Sequence, residues 1–227
     1  MQHKSLKMEA ILEFLKKLAV HNDRDWMAAN KPEYEKVREE FCLYAQALID
    51  RLSVFDRSLA GLGYKDCVYR IHRDVRFSPD KRPYKEYFSV YVLPGGRNNM
   101  SLKAGYYLHI QPGGESLIAG GVHTPPNDML KVIRKHIAAN GSDLLDILEN
   151  PAYKKVFGEL EGEKLKKAPK DFPPGHEYIE LLKLKSFDAV YYYKDDNRLK
   201  ESHAFMEDIV EKFKLLKPLN DFFNEEM

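Results

Sequence analysis

The sequence predicts an α+β fold in which a central, mostly antiparallel sheet of about four to six strands lies between N-terminal and C-terminal helices. Three observations predict it: apolar residues recur at helical spacing near both ends, the period changes to alternation in the middle, and Gly- and Pro-containing turns separate the alternating segments. The chain has 227 residues and no internal repeat. We therefore expect a single α+β domain over residues 1–227.

The N-terminal third predicts two amphipathic helices joined by a short turn. Asn22 or Asp23 is expected to cap the turn, and Pro32 to lie in the first turn of the second, long helix. The apolar stripe of the first helix is Ile11, Phe14, Leu15 and Leu18. The stripe of the second is Tyr34, Val37, Phe41, Tyr44, Ala45, Leu48 and Leu52.

The middle of the chain predicts strands. In "YFSVYVLPGG", Phe88, Val90 and Val92 alternate with more polar residues, as on a strand with one buried face. "AGYYLHIQPGGESLIAGGVH" predicts a hairpin with a two-residue turn at Gly113–Gly114, which would pair His109 with Ile118. In that register the core face is Ala104, Tyr106, Leu108, Ile110, Leu117 and Ala119.

Helices return in the C-terminal half. "PPNDMLKVIRKHIAANG" predicts a helix that is capped by Asn127 or Asp128 and ends at Gly141. "KSFDAVYYYK" predicts another strand, whose consecutive tyrosines point to opposite faces. "SHAFMEDIVEKFKLLKPLNDFFNEEM" predicts a final amphipathic helix.

Composition narrows the class of protein. Lys and Arg total 36 and Asp and Glu total 35, so the formal charge of +1 argues against a dedicated nucleic-acid binder. Two cysteines exclude a disulfide framework or a cysteine-rich zinc site, and they favour two reduced thiols in a reducing compartment. Neither a membrane span nor a signal peptide is recognisable, which predicts a cytoplasmic protein with no membrane partner.

The segment Tyr69–Phe88, "YRIHRDVRFSPDKRPYKEYF", is the candidate site. If Cys67–Phe77 forms a strand, its side chains alternate between two faces. One face would then carry Ile71, Arg73, Val75 and Phe77, and the other Arg70, His72, Asp74, Arg76 and Ser78. "SPDK" predicts a turn, after which "KRPYK" adds further basic residues.

This polar face is open to three interpretations. The first is an anion site for a phosphate or carboxylate, because arginine forks suit both groups. Its expected ligand-binding residues are Arg70, Arg73, Arg76, Ser78, Lys81, Tyr84 and Lys85. His72 and Asp74 would flank the anion as weak catalytic candidates, which leaves open whether a small phosphorylated or carboxylated metabolite is only bound or also transformed by acid–base chemistry.

The second interpretation is a nucleic-acid module, with Lys81–Lys85 on phosphates and Tyr84 or Tyr87 stacking on a base. The third is structural: ion pairs order the segment, and function lies in a protein contact elsewhere. No cofactor is expected, and the pattern leaves the oligomeric state open.

A metal site is not expected. His72, Asp74, His109 and His123 all occur in or near predicted strands. However, the predicted hairpin places His109 and His123 on opposite faces and roughly 17 Å apart along the ladder.

Several segments together carry a family resemblance. "HNDRDWMAANKPEYE", "RIHRDVRFSPDKRPYK", "GGVHTPP" followed by Arg134, and "APKDF…ELLKLKSF" occur in this order. The chain thereby resembles, over nearly its whole length, a widespread and mainly bacterial family of uncharacterised proteins known only as a domain of unknown function. "RDVRFSPDKRPYK" is the most specific part, and Asp171 stands where the resemblance leads us to expect a glycine. The resemblance implies no catalytic residue, substrate or cofactor. The residues that match its signature are Arg73, Asp74, Arg76, Phe77, Ser78, Asp80, Lys81, Pro83, Tyr84 and Lys85.

Overall fold

Helices form both ends of the chain in the computed structural model, which describes residues 8–225. The helices before the sheet are α1 (Met8–Val20), α2 (Arg24–Ala29), α3 (Lys31–Phe55) and α4 (Tyr64–Cys67). The predicted apolar stripes of α1 and α3 face the interior. Asp23 caps α2 by accepting a hydrogen bond from the Trp26 backbone N–H at 2.8 Å, and Pro32 lies in the first turn of α3.

Four antiparallel strands form one sheet and follow each other in chain order, which confirms the predicted α+β class. The strands are β1 (Phe88–Val92), β2 (Gly105–Ile110), β3 (Ser116–Val122) and β4 (Phe187–Tyr193). The remaining helices are α5 (Asn127–Glu149), α6 (Pro151–Phe157), α7 (Ile179–Leu182), α8 (Asn197–Lys200) and α9 (Ser202–Asn224). Within residues 8–225 none of the helices combines the length and the apolar character that a membrane crossing needs.

Helices cover one face of the sheet. α9 packs across β2 and β3, α3 packs on β1, and α6 packs on β4. On this face Val90, Leu108 and Ile118 are cross-strand neighbours and are fully buried, so the sheet and the helices share one hydrophobic core. Within residues 8–225 the residues that line the cleft on the opposite face all lie outside the helices, and it is there that the candidate site lies.

The register of the β2–β3 hairpin differs by one residue from the prediction. His109 pairs with Leu117, and Leu108 pairs with Ile118, because the connection is the five-residue loop 111–115 instead of a two-residue turn. A shift of one residue exchanges the two faces of a strand. Leu117 and Ala119 therefore lie on the open face, and their assignment to the core was wrong.

α5 also departs from its predicted ends. Its N-cap is Pro126, with no side-chain cap from Asn127 or Asp128, and the helix runs through Gly141 to Glu149. Non-helical backbone angles at Asn140 mark a kink at the expected end.

The segment Cys67–Phe77 is not a continuous strand, contrary to the prediction. It makes two isolated antiparallel bridges, Val68 with Val90 at the edge of β1 and His72 with Tyr84 within the segment itself. The chain thus turns back on itself and closes a loop over residues 74–82. The expected alternation survives as far as Ile71, which is buried, but Phe77 is 94% exposed at the loop tip.

Candidate functional site

The open face of the sheet forms the floor of a cleft of about 820 Å³, which we call the sheet-face cleft. All four strands contribute, because alternate residues of each strand point to this side. The polar and aromatic residues of the floor are Ser89, Tyr91, Tyr107, His109, Asp188 and Tyr192. A cavity of this size on a rigid sheet is typical of a small-molecule site.

Two irregular segments extend the sheet at its edges and form the walls of the cleft. On the β1 side, the Tyr69 backbone N–H donates to the Ser89 carbonyl at 3.1 Å. On the β4 side, Glu161 bridges to Asp188 through paired backbone hydrogen bonds. The wall on the β1 side includes Tyr69, Lys85 and Tyr87. The wall on the β4 side includes Glu161, Glu163 and Lys185.

The charged side chains of loop 74–82 pair mainly with one another. Arg73 contacts the Asp80 carboxylate at 2.6 Å, and Arg82 contacts the same carboxylate at 2.7 Å as well as Glu86. The two guanidinium groups hold the pKa of Asp80 well below its usual range, with hydrogen bonds from Arg82 as the largest cause. Asp80 therefore organises the loop.

Arg76 and Asp74 form a second, exposed pair. The guanidinium binds both carboxylate oxygens, with Nη2 to Oδ2 at 2.6 Å and Nε to Oδ1 at 2.9 Å. These hydrogen bonds lower the pKa of Asp74. Arg76 already has the bidentate carboxylate partner that an anionic ligand would provide.

The remaining residues predicted for the site are dispersed. Arg70 and His72 are exposed, Ser78 is half-buried, and Lys81 donates to the Val75 carbonyl at 3.0 Å. The ring of Tyr84 is buried, and its backbone N–H donates to the side chain of Asn22. The position of Tyr84 removes it as a base-stacking residue.

Lys85 is the member of the predicted set that lines the sheet-face cleft. Its ammonium lies 5.1 Å from the ring centre of Tyr69 and 5.7 Å from that of Tyr87. Burial lowers the pKa of Lys85, and Arg70 acts in the same direction. Among residues 8–225 no carboxylate forms an ion pair with it. A half-buried cation without a counter-ion is a natural contact for an anion.

A hydrogen-bonded row runs along β2 on the cleft floor. The Gln111 amide oxygen lies 2.9 Å from His109 Nε2, so Nε2 carries the proton and Nδ1 accepts from the Tyr107 hydroxyl at 3.2 Å. Burial lowers the pKa of His109 and raises that of Tyr107 to about 12. The Tyr87 ring stacks on His109 with ring centres 4.1 Å apart. Both ring nitrogens of His109 are therefore engaged.

The β4 side of the cleft carries a histidine–carboxylate pair. His123 Nδ1 lies 2.9 Å from Asp188 Oδ2. This hydrogen bond raises the pKa of His123. Contrary to the predicted register, His123 and His109 line the same cleft. Across the part of the chain that the structure describes, no three His, Cys, Asp or Glu side chains are grouped as metal ligands.

Sequence reasoning missed most of the cleft. Tyr107, His109 and Asp188 occupy alternate positions on strands that were recognised as strands, but the register error placed apolar residues on the wrong face. The available signal was the alternation of polar aromatic residues with aliphatic ones in "YFSVYV" and "GYYLHI". Two facing strands that share this pattern indicate a sheet face that is not packed in the core.

Comparisons with known proteins agree with the resemblance seen in the sequence. A family model described as "Conserved hypothetical protein (DUF2461)" matches residues 10–222, from the first helix to the last. No curated protein and no solved structure matches the chain.

Proposed function

Because the chain belongs to the DUF2461 family of conserved hypothetical proteins, we propose its function from the site: it binds a small ligand with a planar ring and an anionic group in the sheet-face cleft. The observation that carries this proposal is Lys85, a half-buried cation that faces the cleft between two tyrosine rings. The anionic group is a carboxylate or a phosphate, as the signature segment led us to expect.

The anionic character of the ligand is supported by a contrast within one segment. Arg73, Arg76 and Arg82 have carboxylate partners in their own loop. Lys85 has none, and it points into the cavity. Because Arg73, Arg76 and Arg82 are paired locally, and Arg70 and Lys81 lie outside the cleft, an anion entering the cleft gains most from Lys85.

The planar ring is supported by the aromatic walls. Tyr69, Tyr87, Tyr107 and Tyr192 all border the cleft and offer ring faces or hydroxyl groups. Aromatic walls with a few placed polar groups are the usual lining of small-molecule sites, where rings stack on rings and hydroxyl groups fix orientation.

The cytoplasm remains the compartment that we propose. Cys42 and Cys67 are buried free thiols. Such thiols persist in a reducing environment.

Isothermal titration calorimetry with para-nitrobenzoate and para-nitrophenyl phosphate tests the proposal. We expect the wild-type protein to bind at least one of the two, and Lys85→Met to weaken that binding about tenfold because the side chain keeps its length but loses its charge. Lys81→Met is the matched control, since Lys81 lies in the same segment, is exposed and is outside the cleft.

Two results would contradict the proposal. One is the absence of binding by both probes at millimolar concentration. The other is an equal loss of affinity in both lysine variants, which would mean that a diffuse basic surface is responsible. Tight binding to single-stranded oligonucleotides that falls steeply with salt would instead favour the nucleic-acid interpretation.

A further inference from the structure

A second cavity, of about 480 Å³, lies among residues 166–183, and we call it the lysine pocket. Four lysines contribute to its lining, namely Lys166, Lys167, Lys170 and Lys183. No residue lines both this pocket and the sheet-face cleft. We propose that the lysine pocket binds a small soluble molecule that carries two linked phosphate groups, at a site separate from the one that the proposed function uses.

The loop that forms the pocket has its two ends tied together. The Leu165 backbone N–H donates to the Lys183 carbonyl at 2.8 Å. From α5, the Arg134 guanidinium donates to the carbonyls of Leu182 and Leu184 at 2.7 and 3.1 Å. These bonds fix the backbone on both sides of Lys183, so the loop is closed and its lysines surround one cavity.

The rest of the lining is mainly apolar. Pro169 is buried, and Phe172 and Ile179 are half-buried. The Phe172 backbone N–H donates to the Pro169 carbonyl at 3.0 Å, and the Phe172 ring meets that of His176 edge-on with ring centres 5.8 Å apart. An apolar lining displaces water from an anion that enters the pocket, which strengthens the attraction between that anion and the lysines.

Most of the positive charge of the pocket has no internal partner. Lys183 binds Glu180 at 2.7 Å. Asp171, the acidic residue within the loop, does not line the cavity. The lysines of the lining that form no ion pair within residues 8–225 are Lys166, Lys167 and Lys170. The pocket thus presents three uncompensated ammonium groups.

This excess charge determines the class of ligand. One phosphate group carries a charge of about −2 at most, so it cannot neutralise three lysines. Two linked phosphate groups together carry about −3, which matches them. Each phosphate group offers three acceptor oxygens, and a lysine is a point charge on a flexible stem, so several ammonium groups can reach the same ligand. A cavity of this size is also typical of a small-molecule site.

A soluble ligand agrees with this surface better than a membrane does. Peripheral membrane-binding segments present large apolar side chains beside their basic residues, and these side chains enter the lipid. Within residues 163–185, all of which the structure describes, no large apolar side chain is exposed. The apolar residues of the lysine pocket face its interior and are accessible to a small molecule only.

Isothermal titration calorimetry with inorganic diphosphate at constant ionic strength tests the proposal. We expect the wild-type protein to bind this probe. Each of Lys166→Gln, Lys167→Gln and Lys170→Gln should weaken binding about fivefold, because each variant removes one partly solvated charge contact. Inorganic monophosphate should bind about tenfold more weakly than diphosphate, because it carries fewer charges.

Two variants are matched controls. Lys36→Gln removes an exposed lysine of α3 that lies outside both cavities, and it should leave the affinity for diphosphate unchanged. Lys85→Met should also leave it unchanged, because Lys85 lines the sheet-face cleft. Para-nitrobenzoate is titrated into the three pocket variants as well, and its affinity should equal that of wild type. The two sites are thereby tested independently.

Several results would overturn the proposal. One is the absence of diphosphate binding at millimolar concentration. Another is an equal loss of affinity in Lys36→Gln, which would indicate a diffuse charge effect. A loss in Lys85→Met that the pocket variants do not show would place the anion in the sheet-face cleft. Binding to phosphatidylcholine vesicles that contain phosphatidylinositol bisphosphate, without binding of free diphosphate, would assign the lysines to a membrane surface.

Discussion

At the scale of single residues, one carboxylate decides how the basic segment behaves. Asp80 accepts hydrogen bonds from the Arg73 and Arg82 guanidinium groups and from the Arg82 backbone N–H. Asp74 binds Arg76 in a similar way, so Arg73, Arg76 and Arg82 are all paired with carboxylates of the same segment. Of the cations in the segment that have no carboxylate partner, Lys85 lines the cleft, whereas Arg70 and Lys81 lie outside it.

We expect Asp80→Asn to loosen loop 74–82 without unfolding the protein. The amide is uncharged and cannot hold two guanidinium groups, so the loop should open more often, and trypsin should cut after Arg76 and Lys81 several-fold faster. Mass spectrometry of limited digests measures this directly. Glu163→Gln is the control, because it removes another exposed ion pair, the one between Glu163 and Lys185. In this variant trypsin should cut loop 74–82 at the wild-type rate. Unchanged cleavage in Asp80→Asn would refute the role of Asp80.

The sequence indicated only part of the arrangement of this segment. Alternation placed Ile71 on one face and Arg70 and His72 on the other, and in the structure Ile71 is buried whereas Arg70 and His72 are exposed. It could not show that Asp80 lies between two arginines, because that contact requires the chain to fold back through the His72–Tyr84 bridge. The spacing of residues in the sequence does not reveal that the chain folds back at this point.

At the scale of elements, the register of one hairpin determined whether the cleft could be recognised. The loop 111–115 is held by distant groups: the Asp196 carboxylate accepts from the Gly113 and Gly114 backbone N–H groups at 2.9 and 3.0 Å. The Ser116 hydroxyl closes the loop by donating to the Gln111 carbonyl at 2.8 Å. Turn residues predict a two-residue turn, but a contact with a residue more than eighty positions away selects the longer loop.

The positions of the long helices and of the four strands were nevertheless predictable from apolar periodicity, although the predicted strand Cys67–Phe77 was not. The stripes of α1, α3 and α9 and the alternation in β1 and β4 all correspond to buried faces. Apolar periodicity predicts which face of an element is buried, and these helices and strands follow that prediction. Gly141 is buried by the ring of Tyr178, which is distant in the sequence. The local signal, a glycine that usually ends a helix, was therefore misleading at this position.

We expect Gly141→Ala to destabilise the protein, although alanine is the better helix former. A Cβ at Gly141 would overlap the ring of Tyr178, which packs against the α5 kink. The overpacking should outweigh the gain in helix propensity and lower the free energy of unfolding by about 1 to 2 kcal/mol. Urea denaturation measures the change. The neighbouring exposed Ser142→Ala should stay within about 0.5 kcal/mol of wild type. Stabilisation by Gly141→Ala would contradict this packing.

At the scale of the whole molecule, the arrangement of layers creates the site. The helices at both ends of the chain pack on one face of a four-stranded sheet, and the sheet-face cleft lies on the other face. The two edge segments raise walls around that face, so the cleft has an aromatic floor, a cation on one side and a histidine–carboxylate pair on the other.

The most direct test of this account is a map of backbone amide chemical shifts during titration with para-nitrobenzoate. The account predicts shifts at the cleft residues Lys85, Tyr87, Tyr107 and His109, with little change at Arg76 and Lys81 in the ion-paired loop. Shifts concentrated on that loop or on the helical face of the sheet, or no shifts at saturating probe, would contradict it.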